Sequence, residues 1–144
     1  MARQALVLDA SVGVKWFSDR GEGSLTQALA IRDSHVAGKM LITVPDLFYY
    51  EVANAIIHKQ FIPLDAVQSA VASIFALEMN TIPVDSHVLS DSTALSRKLG
   101  ITVYDACYIV LARDSGSPLV TANPRHQKKG VDCEVIPVEK WKGE

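Results

Sequence analysis

No stretch of the 144 residues approaches the ~18 uninterrupted apolar residues of a membrane-spanning helix, so no membrane partner is expected. The apolar segment nearest the N-terminus, Ala5-Leu6-Val7-Leu8, is broken by Asp9 and is too short for a secretory signal. The reading is therefore a cytoplasmic protein. Cysteine is scarce. Cys107 and Cys133 lie far apart and fit no metal-ligand spacing, which points to reduced thiols rather than a disulfide framework. Neither sign of charge dominates: 14 Lys and Arg face 16 Asp and Glu, a formal net charge of −2. A nucleic-acid partner would thus have to be met by a local basic patch, not by the field of the whole molecule. There is no Gly-rich phosphate loop of the Walker type, no internal repeat and no low-complexity tract.

Apolar residues make up 49% of the chain and charged residues 21%, the balance of an ordinary globule. The length suits one domain, residues 1–144, with a sizeable core. Short apolar runs predict strands at 4–8, 41–44, 81–84, 119–122 and 134–136, the last at an edge. Helical rhythms predict helices at 10–18, 24–37, 47–60, 65–78, 86–99 and 104–115, with Asp46 capping the third and Gly100 and Gly116 ending the last two. Strands separated by helices over about 20–40 residues imply crossover connections. The expected fold class is α/β: a three-layer α/β/α sandwich around a mainly parallel sheet.

Four polar residues stand where this chain is expected to switch between strand and helix. Asp9 ends the first strand, and Glu51 is the only charge between Asp46 and His58. Asp105 opens the uncharged run Ala106-Cys107-Tyr108-Ile109-Val110-Leu111-Ala112, and Asn123 follows Leu119-Val120-Thr121-Ala122. Acids among apolar residues are costly unless paired, hydrogen-bonded or bound to a metal. In open parallel sheets, sites form beyond the carboxyl ends of the strands. Acids that converge there suit a hard cation. Each residue also has a plainer role. Asp9 and Asp105 fit helix caps, Glu51 fits an isolated surface residue, Asn123 before Pro124 fits a turn, and Thr121 fits an ordinary strand threonine. The residues taken singly leave both sets of roles open.

In series they are more specific. Val7-Leu8-Asp9-Ala10-Ser11, then Pro45-Asp46-Leu47 leading to Glu51-Val52-Ala53-Asn54-Ala55, then Tyr104-Asp105-Ala106-Cys107-Tyr108, then Leu119-Val120-Thr121-Ala122-Asn123 occur in one order along the whole chain. The sequence resembles the PIN-domain ribonucleases, and among them the VapC-type toxins of toxin–antitoxin pairs. The resemblance implies a PIN-like fold and Asp9, Glu51 and Asp105 as metal-binding acids, with Asn123 completing the catalytic set. It implies Mg²⁺ or Mn²⁺ as cofactor, hydrolysis of RNA phosphodiester bonds, a homodimer and a cognate antitoxin. Many members carry Asp where this chain has Asn123, which supplies an amide oxygen without the charge.

Ser11 and Thr121 are expected to orient Asp9 or a water. Arg125, His126, Lys128 and Lys129 crowd the segment after Asn123. Arg125, Lys128 and Lys129 would contact RNA phosphates, unless the segment is a solvated loop. Tyr49 and Tyr50 beside Glu51 suit base stacking, or core and interface packing. Three other readings stand beside the toxin. One is a hydrolase with an aspartyl nucleophile, which usually has a second acid two residues on, where this chain has Ser11. Another is a PIN-fold module that binds RNA or protein with weakened catalysis. The third is a free-standing PIN nuclease of RNA maturation.

Overall fold

The computed structural model describes residues 3–123 and 130–143. Five strands form one sheet: β1 (Gln4–Leu8), β2 (Met40–Pro45), β3 (Asn80–Ile82), β4 (Leu119–Thr121) and β5 (Val135–Pro137). Their order is β3-β2-β1-β4-β5 and every pair is parallel. Parallel neighbours need long crossovers, and helices supply them: α1 (Ala10–Gly13), α2 (Leu25–Val36), α3 (Leu47–Ile57), α4 (Leu64–Ala76), α5 (Ser86–Leu99) and α6 (Val103–Ser115). Short 3₁₀ turns cover Val14–Trp16 and Val138–Lys140.

Consecutive strand residues point to opposite faces of a sheet. Leu6, Val7 and Leu8 of β1 are all buried, as are Leu119, Val120 and Thr121 of β4. Both faces are therefore covered, and the three-layer α/β/α arrangement expected from the sequence is present, with β5 at an edge as foreseen. Helix α6 is buried continuously from Ala106 to Ala112 and lies against β1, β2 and β4 on one side and α5 on another. A helix apolar all round belongs inside the molecule. Gly100 and Gly116 end α5 and α6 with φ of 68° and 64°, a left-handed C-cap that favours glycine.

Several boundaries differ from the sequence reading. The helix expected over 10–18 is a single turn, α1, followed by the 3₁₀ turn. There the backbone tightens as Trp16 turns inward and donates its indole N–H to the Ala28 carbonyl at 2.8 Å. Helix α3 stops at Ile57 rather than residue 60, where the His58 ring folds back on the Asn54 carbonyl at 2.7 Å. Asp46 precedes α3 without capping it. Its backbone is already right-handed helical (φ −58°, ψ −24°), and its Oδ2 instead accepts from the Val84 N–H at 3.4 Å. Strand β2 runs through Pro45 instead of ending before it.

Candidate metal centre

The register of the two central strands assembles the first part of the site. Leu8 of β1 faces Val120 of β4, so Asp9 and Thr121 emerge side by side at the carboxyl ends. The Asp9 N–H extends the ladder by one bond, to the Val120 carbonyl at 3.0 Å. The Asp9 side chain is buried, and two hydroxyls converge on its Oδ2: Ser11 Oγ, and Thr121 Oγ1 at 3.1 Å. Both hydroxyls are themselves held. Ser11 Oγ accepts the Ala122 N–H at 3.0 Å, and Thr121 Oγ1 accepts the Asn123 N–H at 3.0 Å. Asp9 stands at the N-cap position of α1, yet its side chain makes no cap bond. The cap bond is absent, and the carboxylate is instead held by the hydroxyls of Ser11 and Thr121.

Glu51 lies in the second turn of α3, half-buried, and Oε1 accepts the phenol of Tyr108 from α6 at 2.7 Å. It is not an isolated surface glutamate. Its carboxyl is pushed up from 4.5 to about 7, chiefly by burial. The Tyr108 hydrogen bond works against that shift, while the negative charges of Asp9 and Asp105 add to it. Burial also drives the Tyr108 phenol well above its ordinary value, with the Glu51 and Asp9 charges adding. Asp105, half-buried in the first turn of α6, is not the cap either. Thr102 is: its Oγ1 accepts the Asp105 N–H at 3.0 Å.

Three carboxylates from three elements (the end of β1, α3 and α6) therefore meet electrostatically at Glu51. Asn123 stands at the end of β4, its side chain exposed and without a hydrogen bond among the described residues. Arg125, His126, Lys128 and Lys129, expected to form the basic patch, lie outside the described residues. Tyr50 is 77% exposed, whereas Tyr49 bonds Thr81 Oγ1 at 2.7 Å and stacks on Phe75. Both cysteines are free, and burial, with Asp132 nearby, raises the Cys133 thiol. The residue that sequence reasoning passed over is Tyr108. Its signal was available: the one hydroxyl in a seven-residue apolar run, three residues after Asp105 and so on the same side of a helix.

The donor set suits a hard cation, since every group offered is oxygen. Among the described residues no group of three or more His, Cys, Asp or Glu side chains is placed to hold a metal ion. Mg²⁺ keeps several of its waters and is bound through one or two carboxylates.

The sequence pattern of the PIN domain family matches residues 6–131, and the chain belongs to that family. Solved structures share the fold. A toxin–antitoxin complex from Klebsiella pneumoniae superposes with a TM-score of 0.66 at 19% identity, covering 94% of this chain and 99% of the other. VapBC2 from Rickettsia felis, bound to a DNA fragment from their promoter, gives 0.67 at 16% identity, with 92% and 98% covered. PAE2754 from Pyrobaculum aerophilum gives 0.65 at 19% identity, with 94% and 85% covered. No curated protein matches the chain in sequence. Among the described residues no helix is long and apolar enough to cross a membrane.

Proposed function

We propose that this protein is a metal-dependent endoribonuclease of the cytoplasm, the toxin of a toxin–antitoxin pair. The observation that carries the reading is the convergence of Asp9, Glu51 and Asp105, close enough that the first and last both raise the carboxyl of the second. Membership of the PIN domain family supports nuclease chemistry. The likeness to the toxin–antitoxin complex from Klebsiella pneumoniae supports an antitoxin partner.

In this reading Asp9, Asp105 and Glu51 would hold Mg²⁺ or Mn²⁺, and the cation would supply polarisation of a phosphoryl oxygen and acidification of water. The chain's own residues do the rest. Ser11 and Thr121 fix the Asp9 carboxylate by hydrogen bonds to Oδ2. Glu51, with Oε1 engaged by Tyr108, presents Oε2 to a water and accepts its proton. Asn123 offers an amide oxygen at the rim. Arg125, Lys128 and Lys129 contact the RNA phosphates.

A homodimer and an antitoxin both need apolar surface. Tyr50 and Tyr104 line an open groove of about 310 Å³ with Val84 and Leu89, all four exposed. Contiguous exposed apolar residues of this kind support protein contacts.

The test is incubation with a mixed RNA pool in Mg²⁺, Mn²⁺ or chelator, with Asp9→Asn and Asp105→Asn alongside. Cleavage that needs metal and disappears in both variants is expected. Asn123 favours a second reading, a PIN-fold module that binds RNA or protein with weakened catalysis. Absence of both cleavage and Mn²⁺ binding by calorimetry would select it. Cleavage confined to a precursor RNA would instead indicate a free-standing maturation nuclease.

A further inference from the structure

We propose that Tyr108 is the positioning residue of the acid cluster: its phenol, set between the Ala10 backbone and Glu51, fixes the Glu51 carboxylate relative to Asp9 and Asp105. The inference rests on the metal-dependent reading above and deepens it. Tyr108 has no exposed surface and sits in the continuously buried stretch of α6. A phenylalanine would fill that space equally well, and a buried hydroxyl is costly without a partner. The hydroxyl has its partner in Glu51 Oε1 at 2.7 Å. The Ala10 backbone N–H acts on the same phenol oxygen.

Those contacts tie one rigid ring to Glu51 and to the residue after Asp9, and Asp105 shares its helix. Ala10 directly follows Asp9. Glu51 receives the hydrogen bond. Asp105 lies three residues before Tyr108, on the same side of α6. An oxygen approached by a backbone N–H keeps a single hydrogen of its own, and here it points at Oε1. Glu51 is the long, flexible member of the trio, whereas Asp9 is already held by Ser11 and Thr121. With Oε1 engaged, Oε2 takes no hydrogen bond among the described residues and is the atom offered to the cluster. Groups that orient metal-binding side chains typically carry 10–100-fold in metal affinity or activity.

The experiment is Mn²⁺ calorimetry on the whole chain, for the parent, Tyr108→Phe, Glu51→Gln and the double variant, with thermal melts in chelator as a check on folding. Tyr108→Phe is expected to weaken Mn²⁺ binding about tenfold or more and to lower kcat with KM for an RNA oligonucleotide little changed. In the Glu51→Gln background the same substitution is expected to change Mn²⁺ affinity by less than about twofold, because nothing remains for the phenol to position. Equal losses in both backgrounds would show a merely structural role and overturn the proposal. So would unchanged affinity in Tyr108→Phe. A parent that binds no Mn²⁺ would instead remove the metal reading itself, and the proposal with it. Should Tyr108→Phe not fold, Tyr108→Met replaces it, its flexible chain filling the space without a hydroxyl. A loss of Mn²⁺ affinity that disappears in the Glu51→Gln background is expected, and equal losses in both backgrounds would overturn the proposal.

Discussion

Glu51 carries opposing demands at the scale of a single residue. Burial and two neighbouring acids hold its proton to about pH 7, while a bound cation needs the proton gone. A carboxyl raised above its unfolded value favours the folded state below about pH 4.5, and that contribution is lost as pH rises through about 7. Melts in chelator are therefore expected to show Glu51→Gln gaining stability relative to the parent as pH rises from about 5 to 8. A constant difference across that range would contradict the raised carboxyl. Mn²⁺ affinity of the parent is expected to rise with pH below about 7, by at most about tenfold per unit, and to level off above. Asp9, Glu51 and Asp105 stood out as candidates in the sequence because an acid in an apolar setting demands a reason, and Ser11 and Thr121 were expected beside Asp9 or a water. The pairing of Tyr108 with Glu51 was not legible: the two lie 57 residues apart on different helices, and only tertiary packing brings them together.

Elements were legible where periodicity is long and less so where tertiary contacts set the end. Helices α2, α5 and α6 fall within a residue of expectation, and Gly100 and Gly116 stop two of them by backbone conformation alone. The cap assigned to Asp46 and the one left open at Asp105 both went elsewhere: Val84 claims the Asp46 carboxylate, and Thr102 takes the capping position before Asp105. The brief α1 depends on a close approach that sequence cannot display. A Cβ on Gly13 would meet Phe48 Cζ at 2.6 Å and Val52 Cγ2 at 3.2 Å. Phe48 is fully buried and has nowhere to retreat. Gly13→Ala is expected to cost about 1–3 kcal/mol by denaturant unfolding. Because α1 follows Asp9 and Phe48 precedes Glu51 on α3, the same change is expected to weaken Mn²⁺ binding. A variant as stable as the parent would mean that α1 can move away from α3 freely.

For the whole molecule the all-parallel sheet was foreseeable from alternating strands and helices, whereas the order β3-β2-β1-β4-β5 was not. That order puts β1 at the centre, flanked by β2 and β4, and so brings Asp9 to the middle of the carboxyl edge. A cation bound there stabilises the native state alone. At a hundredfold excess over its dissociation constant, Mn²⁺ is expected to add about 2.7 kcal/mol, read as a rise in melting temperature that Asp9→Asn abolishes. Equal rises in both proteins would place the ion elsewhere. The central position of β1 has one more effect, on timing. One flank of β1 is built from residues that follow it by about 35, the other by more than 110. A ribosome releases them in that order. The growing chain can pair β1 with β2 early, but Asp9 lacks its Thr121 hydroxyl until β4 emerges. The hydroxyl network that holds Asp9 is thus complete only once β4 has emerged, more than 110 residues behind β1.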